Sequence, residues 1–301
     1  MESPDRVAFL GLGIMGLPMA ANLRAGGFDL AVWTRDADKA ERFASEHGAV
    51  AAGSPAEAAE GAGAVITMVP DSPEVEAVLF GDGGAAAALE RGALCLDMST
   101  IAPTAARAIG ERLGERQIDF VDAPVTGSRP RAEDGTLTIM AGGSETAFQR
   151  ALPLLRAMGK LIVHVGPSGH GAMAKVIANT ITSVNAAAIA EALTMVRRAG
   201  VNPDAFLEVA RAGSSGSTMM ELKAGPMLEH DFEPLFKLEH MLKDVRHCLA
   251  EARALGVELR LAELAERMYA AAAEAGHGDE DFAAVATVAE AAGGQDAART
   301  D

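Results

Sequence analysis

The stretch RVAFLGLGIMGLPMAANL, residues 6–23, decides how the first half of the chain folds. It opens with a short apolar run typical of a buried strand and ends in a segment with helical character. Between them, GLGIMG is a G-x-G-x-x-G sextet. Its first glycine permits a tight turn, its second lets the backbone approach a pyrophosphate, and its third lets the helix pack closely on the strand. The N–H groups that begin the helix can hold phosphates, so the pattern predicts a dinucleotide site at Gly11, Leu12, Gly13, Ile14, Met15 and Gly16.

The end of the next predicted strand, FDLAVW (28–33), bears on which dinucleotide this turn would hold. NAD-binding folds usually place Asp or Glu there to bond the ribose 2′-hydroxyl, whereas this strand is followed by Thr34 and Arg35. A guanidinium can pair with a 2′-phosphate and lie over the adenine. We therefore expect NADP(H) to be preferred, while NAD(H) stays possible because Asp36 follows directly.

Apolar strands alternate with helical segments up to about residue 165, which is typical of a parallel sheet covered by helices on both faces. Further strands are predicted at 64–69, 93–98, 117–125, 136–143 and 161–166. Beyond residue 169 the periodicity is helical, and helices are expected at 171–199, 203–211, 238–255, 258–275 and 279–291. We expect an α/β protein with a Rossmann-like domain at 1–165 that contains a doubly wound, mainly parallel sheet. A long helix would join it to an all-helical domain at 166–292, followed by a frayed tail at 293–301.

Composition narrows the classes of function. The 301 residues are 49% hydrophobic, enough for a core in each of two domains, and the formal net charge of −16 argues against a broad nucleic-acid-binding face. Cys95 and Cys248 lie far apart in apolar surroundings, which favours two reduced thiols over a disulfide.

The N-terminus lacks the basic segment of a signal peptide, and no stretch has the roughly 18 to 20 continuous apolar residues of a membrane span. We expect a soluble, cytoplasmic protein that binds neither nucleic acid nor membrane. H-E-x-x-H and G-x-S-x-G motifs are missing, so neither a metal site nor a serine hydrolase site is expected.

A second glycine-containing segment, DAPVTGSRPRAEDGTLTIMAGG (122–143), runs from one predicted strand through a loop to the next. Thr126, Gly127 and Ser128 offer hydroxyl and backbone N–H donors within one turn. Such a local cluster can hold a carboxylate without a positive net charge. Arg129 and Arg131 would either assist the anion or face solvent. The segment predicts a site for a small carboxylated substrate.

The segment GHGAMAKVIAN (169–179) places one lysine in an apolar helix. Lys175 and Asn179 are four residues apart and therefore share a helix face. An apolar setting lowers the pKa of a lysine towards neutrality, and a positioned ammonium both donates a proton and stabilises a developing alkoxide. Lys175 is therefore a candidate acid–base residue, and the alternative is a lysine whose side chain extends along the helix to place its ammonium in water. Three histidines, His164, His170 and His240, are rival acid–base candidates.

Together these motifs resemble the β-hydroxyacid dehydrogenase family, which includes 3-hydroxyisobutyrate dehydrogenases and tartronate semialdehyde reductases. The resemblance spans about residues 6–291 and includes a late motif, HMLKDV (240–245). Within the family, VWTR (32–35), RAEDGTL (131–137) and AGHGDEDFAAV (275–285) are similar to the NADPH-dependent glyoxylate/succinic semialdehyde reductases.

The resemblance implies a role for each matching residue. Lys175 would be the catalytic lysine, and Asn179 would orient the substrate. The substrate would contact Thr126, Gly127, Ser128 and Phe236. Thr100 and Lys243 would contact the cofactor near the nicotinamide. Independently of the resemblance, Met68, Val69 and Pro70 are predicted to contact the cofactor because they end a strand at the edge where open α/β sheets bind ligands. Thr-Gly-Ser replaces the usual Ser-Gly-Gly, and Asn179-Thr180 replaces the usual Asn-Asn, which leaves the exact substrate open.

The leading hypothesis is therefore an NADPH-dependent reductase of small carboxylated aldehydes, such as glyoxylate or succinic semialdehyde. The alternatives are an imine reductase-like NADPH oxidoreductase, 3-hydroxyisobutyrate dehydrogenase-type oxidation of a 3-hydroxy acid, and a catalytically silent dinucleotide-binding module. Imine reductases typically replace the catalytic lysine, so Lys175 favours the first hypothesis. The Ala- and Met-rich faces of the helical half predict a homodimer or homotetramer.

Overall fold

Residues 6–293 are described by the computed structural model, in which the chain divides between Lys175 and Val176 into two units. The division falls inside one long helix, so each unit is described by itself. Apart from Gly293, the predicted tail lies outside the described residues.

The first unit contains a nine-stranded, mainly parallel sheet, as the sequence predicts. Its strands are β1 (Arg6–Leu10), β2 (Asp29–Trp33), β3 (Val50–Ala51), β4 (Ala64–Thr67), β5 (Leu94–Asp97), β6 (Asp119–Asp122), β7 (Val125–Thr126), β8 (Leu137–Gly143) and β9 (Gly159–Gly166). They lie in the order β3-β2-β1-β4-β5-β6-β8-β7, and β9 pairs with β8. From β1 the chain passes to β2 and β3 on one side of the sheet, and from β4 it passes to β5 and β6 on the other side. Because β1 and β4 are neighbours, the strand order reverses between them, and the carboxyl ends of these two strands form a topological switch point.

Helices cover this sheet on both faces. They are α1 (Gly16–Ala25), α2 (Ala37–His47), α3 (Pro55–Ala59), α4 (Ser72–Phe80), α5 (Pro103–Glu115), α6 (Ser128–Glu133) and α7 (Glu145–Met158). Neighbouring residues of β1 enter different core clusters, Phe9 on one face and Leu10 on the other. Burial on both faces explains why the strands are continuous apolar runs rather than alternating ones.

Two details of the first unit differ from the sequence-based prediction. The strand predicted at 117–125 is divided into β6 and β7, with Pro124, which lacks an N–H to donate, between them. The segment predicted as a loop after Gly127 contains the short helix α6.

The second unit is helical, as predicted. Helix α8 (His170–Arg198) enters it from the first unit, and the other helices are α9 (Pro203–Ala212), α10 (Thr218–Glu229), α11 (Leu238–Ala254), α12 (Arg260–Ala272) and α13 (Ala286–Ala292). Helix α10 was not predicted, because Gly225 and Pro226 interrupt its helical pattern; Ser217 caps its first turn by accepting from Met220 N. The helix predicted at 258–275 ends at Ala272, where a π-turn (Ala273–His277) begins. The helix predicted at 279–291 is divided into a 3-10 turn (Phe282–Val285) and α13.

Within the described residues, α8 is the one helix long and apolar enough to cross a membrane by length and composition, and half of its most apolar window is buried in the protein. The core helix of a soluble protein meets the same criterion. Cys95 and Cys248 are both free and buried, in agreement with the prediction of two reduced thiols.

Candidate active site

The glycine turn between β1 and α1 adopts the geometry that its sequence predicts. Gly11 has a φ of 109°, and a Cβ there would lie 2.2 Å from the Met68 carbonyl oxygen. A Cβ at Gly16 would lie 1.9 Å from the Gly11 carbonyl oxygen. Gly13 differs from both, because it is exposed and a Cβ there would meet no protein atom within 4 Å. The fold therefore requires two of the three glycines, and the third leaves open space beside the backbone.

This open space suits a pyrophosphate. Helix α1 begins immediately after the turn, with no side-chain cap on its first N–H groups and no acid in its first turn. Such a helix start leaves N–H donors and a positive dipole end for an anion. Ile14 is 54% exposed beside Gly13, so an apolar side chain also borders the open space. The turn thus fits a bound dinucleotide.

The end of β2 carries the residues predicted to select the cofactor. Thr34 is half-buried and Arg35 is exposed, directly after Trp33. The Asp36 carboxylate caps α2 by accepting from Lys39 N at 3.2 Å. The turn therefore carries one exposed guanidinium, that of Arg35, next to a carboxylate of which one oxygen caps α2.

The ends of β4 and β5 carry the other cofactor residues predicted for the first unit. Met68 N donates to Leu10 O at 2.9 Å, which places Met68 next to the glycine turn. Val69 N donates to Ser99 Oγ at 3.0 Å, so the segment after β4 is tied to the segment that leads to Thr100. Asp97 fixes this arrangement, because its Oδ1 accepts from Thr67 Oγ1 at 2.7 Å and from Ser99 N at 3.1 Å. The predicted residues Met68, Val69, Pro70 and Thr100 therefore follow two neighbouring strand ends at the edge where Gly11 lies.

The predicted substrate segment lies beyond the next strand along the sheet. Thr126 ends β7, Ser128 begins α6, and both side chains are exposed. Gly127 has a φ of 135° and Ser128 a φ of 55°, so two successive residues have left-handed backbone. Arg129 pairs with Glu133 at 2.7 Å within α6. The segment presents two hydroxyl groups on an exposed turn, as a carboxylate site would require.

Lys175 is buried, 7% exposed, and occupies the second turn of α8. The start of this helix is bound by Asp122, the last residue of β6, whose two carboxylate oxygens accept from Gly169 N at 2.7 Å and Ala172 N at 2.8 Å. The chain continues from Asp122 through Pro124 into β7, which ends at Thr126. Asp122 therefore contacts the start of the helix that carries Lys175 and lies four residues before Thr126 in the predicted substrate segment. The prediction from sequence did not single out Asp122.

In the second unit, Asn179 and Lys243 share an acidic partner. Asp244 is fully buried; its Oδ2 accepts from Asn179 Nδ2 at 2.6 Å, and its Oδ1 lies 3.3 Å from Lys243 Nζ. The structure thus joins two predicted site residues that are far apart in sequence. Asp244 itself was missed, although it directly follows Lys243 in the late motif. Because Asn179 is one turn beyond Lys175 on α8, the two side chains share a helix face.

Phe236, predicted to contact substrate, is half-buried on the segment before α11. Its ring lies 6.1 Å from that of Phe282 in an edge-on arrangement. The backbone of this segment is held by Asp281, whose Oδ2 accepts from Leu235 N at 3.1 Å and from Phe236 N at 3.2 Å. Asp281 and Phe282 belong to the C-terminal motif noted in the sequence, which therefore has a structural partner in the Phe236 segment.

The three histidines that rival Lys175 lie in different surroundings. His164 Nε2 bonds Gly143 O at 2.8 Å, and its ring stacks on Phe148. His170 is exposed and its Nδ1 bonds Pro167 O. Burial, together with the nearby Lys243, lowers the pKa of His240.

Two family models match the chain, one to each half. The NAD-binding domain of 6-phosphogluconate dehydrogenase matches residues 6–166, and the NAD-binding domain of NADP-dependent 3-hydroxyisobutyrate dehydrogenase matches residues 169–289. The chain therefore carries the domains of a pyridine-nucleotide-dependent oxidoreductase.

Individual relatives match along nearly the whole chain. It is 35% identical to 2-hydroxy-3-oxopropionate reductase of Escherichia coli, over 93% of this chain and 95% of the relative. It is 34% identical to glyoxylate/succinic semialdehyde reductase 1 of Arabidopsis thaliana, over 93% and 96%. The solved structure of the Mycobacterium tuberculosis 3-hydroxyisobutyrate dehydrogenase with L-serine superposes with a TM-score of 0.86, at 32% identity over 94% and 98%. These relatives are named for different substrates at similar identity, so identity alone does not select one.

Proposed function

The chain belongs to the 3-hydroxyisobutyrate dehydrogenase family of oxidoreductases, and from this we propose that it is an NADPH-dependent reductase of small carboxylated aldehydes. Glyoxylate and succinic semialdehyde are the substrates we favour. The segments VWTR, RAEDGTL and AGHGDEDFAAV support this choice, as does the similarity to the Arabidopsis reductase named for both aldehydes.

A buried lysine carries the proposal. Lys175 lies on a helix whose first turn is bound by Asp122, and the strand that ends in Asp122 leads into the exposed donors of Thr126 and Ser128. An ammonium with little solvent is costly to keep, and such groups are concentrated at functional sites. Reduction of a carboxylated aldehyde requires a proton donor and a site for the carboxylate, and Asp122 links the two segments that would supply them.

The proposed mechanism assigns one task to each group. The turn at Thr126, Gly127 and Ser128 would accept the substrate carboxylate. A bound dihydronicotinamide would supply the hydride that the carbonyl carbon takes up. Lys175 would give its proton to the carbonyl oxygen as negative charge develops there, so that the product is a hydroxy acid, and the neutral amine would regain a proton from solvent. Asn179, held by Asp244, would orient the substrate oxygen.

Replacement of Lys175 by alanine tests the mechanism. We expect the variant to lose about 10²- to 10⁴-fold in kcat, because a positioned general acid contributes that much, while NADPH binding is kept. The matched control is Lys160→Ala, which removes an exposed lysine from the same unit and should leave kcat unchanged. The assay follows NADPH oxidation over a panel of carboxylated aldehydes and, as the test of the alternatives, cyclic imines and 3-hydroxy acids. Near-normal turnover by Lys175→Ala would refute the catalytic role.

The preference for NADPH is proposed from Arg35. Its exposed guanidinium lies on the turn after β2, where it can pair with a 2′-phosphate. Arg35→Asp should lower the ratio of kcat/KM for NADPH to that for NADH by about tenfold or more, because one charge-assisted interaction is worth about 1.5–3 kcal/mol. An unchanged ratio would contradict this assignment.

We also propose that the protein is a homodimer or homotetramer. Helix α8 exposes Ile177, Ile181 and Met195 at 46%, 59% and 68%, at positions spaced to share one face of the helix. An apolar stripe of this kind is typical of an interaction surface. Light scattering at assay concentration should give a mass of at least two chains, and Ile181→Glu should reduce it; a monomeric wild type would end the proposal.

A further inference from the structure

Asp122 is a buried acid that binds a helix start from outside the helix. It is 1% exposed, and each of its carboxylate oxygens accepts one backbone N–H, from Gly169 and from Ala172. The first N–H groups of a helix have no partner within the helix, and a negative charge there is favourable. Other helices of this unit, such as α2 and α7, are capped by the residue immediately before them, Asp36 or Ser144. Helix α8 instead takes its partner from the central sheet.

Two glycines make room for this contact. A Cβ at Gly142 would lie 2.7 and 2.9 Å from the two carboxylate oxygens of Asp122. A Cβ at Gly171 would lie 2.3 Å from the Asp122 carbonyl oxygen and 2.5 Å from the Met140 carbonyl oxygen. The helix start and the strand end therefore approach so closely that side chains are excluded on both sides of the carboxylate.

The arrangement has an energetic cost. Burial, and to a smaller extent the nearby Asp97, raises the pKa of Asp122 to about 7, although the hydrogen bonds from Ala172 and Gly169 lower it. An ionised carboxylate at this place is therefore less stable than the same group in water. A local serine or asparagine would cap the helix without that cost.

We propose that Asp122 is a positioning residue for Lys175, holding the first turn of α8 against the end of β6. Lys175 lies one turn beyond Ala172, and the turn containing Thr126, Gly127 and Ser128 follows Asp122 along the chain. One carboxylate therefore fixes both the helix that carries the proton donor and the strand end that leads to the substrate carboxylate site. This inference rests on the proposed function for the roles of Lys175 and of that turn.

The test compares Asp122→Asn with Asp119→Asn. Asparagine keeps the size of the side chain but directs an NH₂ group towards one of the two backbone donors. Asp119 begins the same strand, and its side chain is 41% exposed and pairs with Arg150, which makes it a matched control. Two quantities are measured on the full-length protein, the amide hydrogen exchange of residues 169–176 and the kcat of the folded fraction, the latter with whichever substrate of the panel the wild type turns over fastest.

For Asp122→Asn we expect exchange at 169–176 to become at least about tenfold faster and kcat to fall about 10- to 100-fold, because a misplacement of about 1 Å can cost about 10²-fold. The KM for NADPH should stay within about twofold, because the glycine turn is untouched. Asp119→Asn should match the wild type in both measurements. If Asp122→Asn does not fold, Gly142→Ala, which keeps the carboxylate but crowds it, should give the same two effects.

Two results would overturn the inference. Wild-type exchange at 169–176 in Asp122→Asn would show that the carboxylate does not hold the helix start, and faster exchange with unchanged kcat would show a purely structural contact. Failure of the proposed function looks different, because the wild type itself would then reduce none of the carboxylated aldehydes.

Discussion

The three glycines of the turn after β1 should respond differently to the same added methyl group. A Cβ at Gly13 meets no protein atom within 4 Å, and the φ of Gly13 is not among the positive values. Gly13→Ala should therefore fold normally and gain up to about 1 kcal/mol, because alanine has less freedom in the unfolded chain. A loss of stability is not expected from this change.

The same methyl group should interfere with the cofactor. It would occupy the open space where the backbone must approach a pyrophosphate, next to the uncapped start of α1. Loss of one hydrogen bond to a charged phosphate costs about 1.5–3 kcal/mol, which corresponds to about a 10- to 100-fold rise in the Kd for NADPH. Gly13→Ala should therefore separate ligand binding from folding.

Trp33 provides the assay. It is the one tryptophan of the chain and ends β2, next to Thr34 and Arg35, so energy transfer from Trp33 to bound NADPH should report binding in a titration. Thermal unfolding is measured on the same samples. The control is Gly16→Ala, whose Cβ would lie 1.9 Å from the Gly11 carbonyl oxygen and which should lose about 1–3 kcal/mol or more of stability. A wild-type Kd for Gly13→Ala, or equal destabilisation by the two variants, would refute the reasoning.

Three further outcomes follow from buried charges. Lys223→Met should lower the free energy of unfolding in urea by about 3–5 kcal/mol, because Lys223 Nζ lies 2.7 Å from Asp281 Oδ1 in a buried pair. The control Lys237→Met breaks a more exposed pair and should lower it by about 1 kcal/mol or less. Equal losses in the two variants would contradict this reasoning. Asp244→Ala should lower kcat at least about tenfold, because it releases Asn179 and Lys243, and steady-state rates per folded enzyme check it. For Asp122, the pKa of about 7 in the folded protein lies above the usual 3.8, so the folded state binds more protons at this group between these values, and the contribution of Asp122 to stability should fall as pH rises from about 4 to 7. Unfolding free energies measured across that range should fall less steeply in Asp122→Asn, and parallel curves would refute the assignment.

Much of the fold could be predicted because its signals are local. Buried strands are apolar runs, and a cap such as Asp36 stands next to the helix it begins. The failures occurred where local signals conflict with the structure. Helix α10 contains Gly225 and Pro226, which favour a break, yet it is capped by Ser217 and packs Met220 and Met227 into the core of the second unit. Tertiary packing there outweighs the weak helical pattern.

The candidate site was predictable to the extent that each motif is continuous. The glycine turn, the Thr126–Ser128 turn and the helix with Lys175 are short sequences whose donors lie within a few residues of one another. The structure adds that Gly11 and Gly16 are required by the fold while Gly13 is not, a difference that the G-x-G-x-x-G pattern cannot express. It also shows that one carboxylate oxygen of Asp36, the residue next to Arg35, caps α2.

A search for sequence motifs overlooks the buried carboxylates that hold the segments of the candidate site. Asp97, Asp122, Asp244 and Asp281 are each at most 2% exposed, and each accepts hydrogen bonds from a segment that carries a predicted site residue. Their main partners lie 30 to 65 residues away in sequence, so no local spacing identifies the pairs. Desolvation makes such acids costly, and that cost is offset only when several donors converge on one carboxylate. Asp97 and Asp281 bind loop segments, whose backbones lack the regular hydrogen bonds of helices and strands, whereas Asp122 and Asp244 each bind a residue of α8.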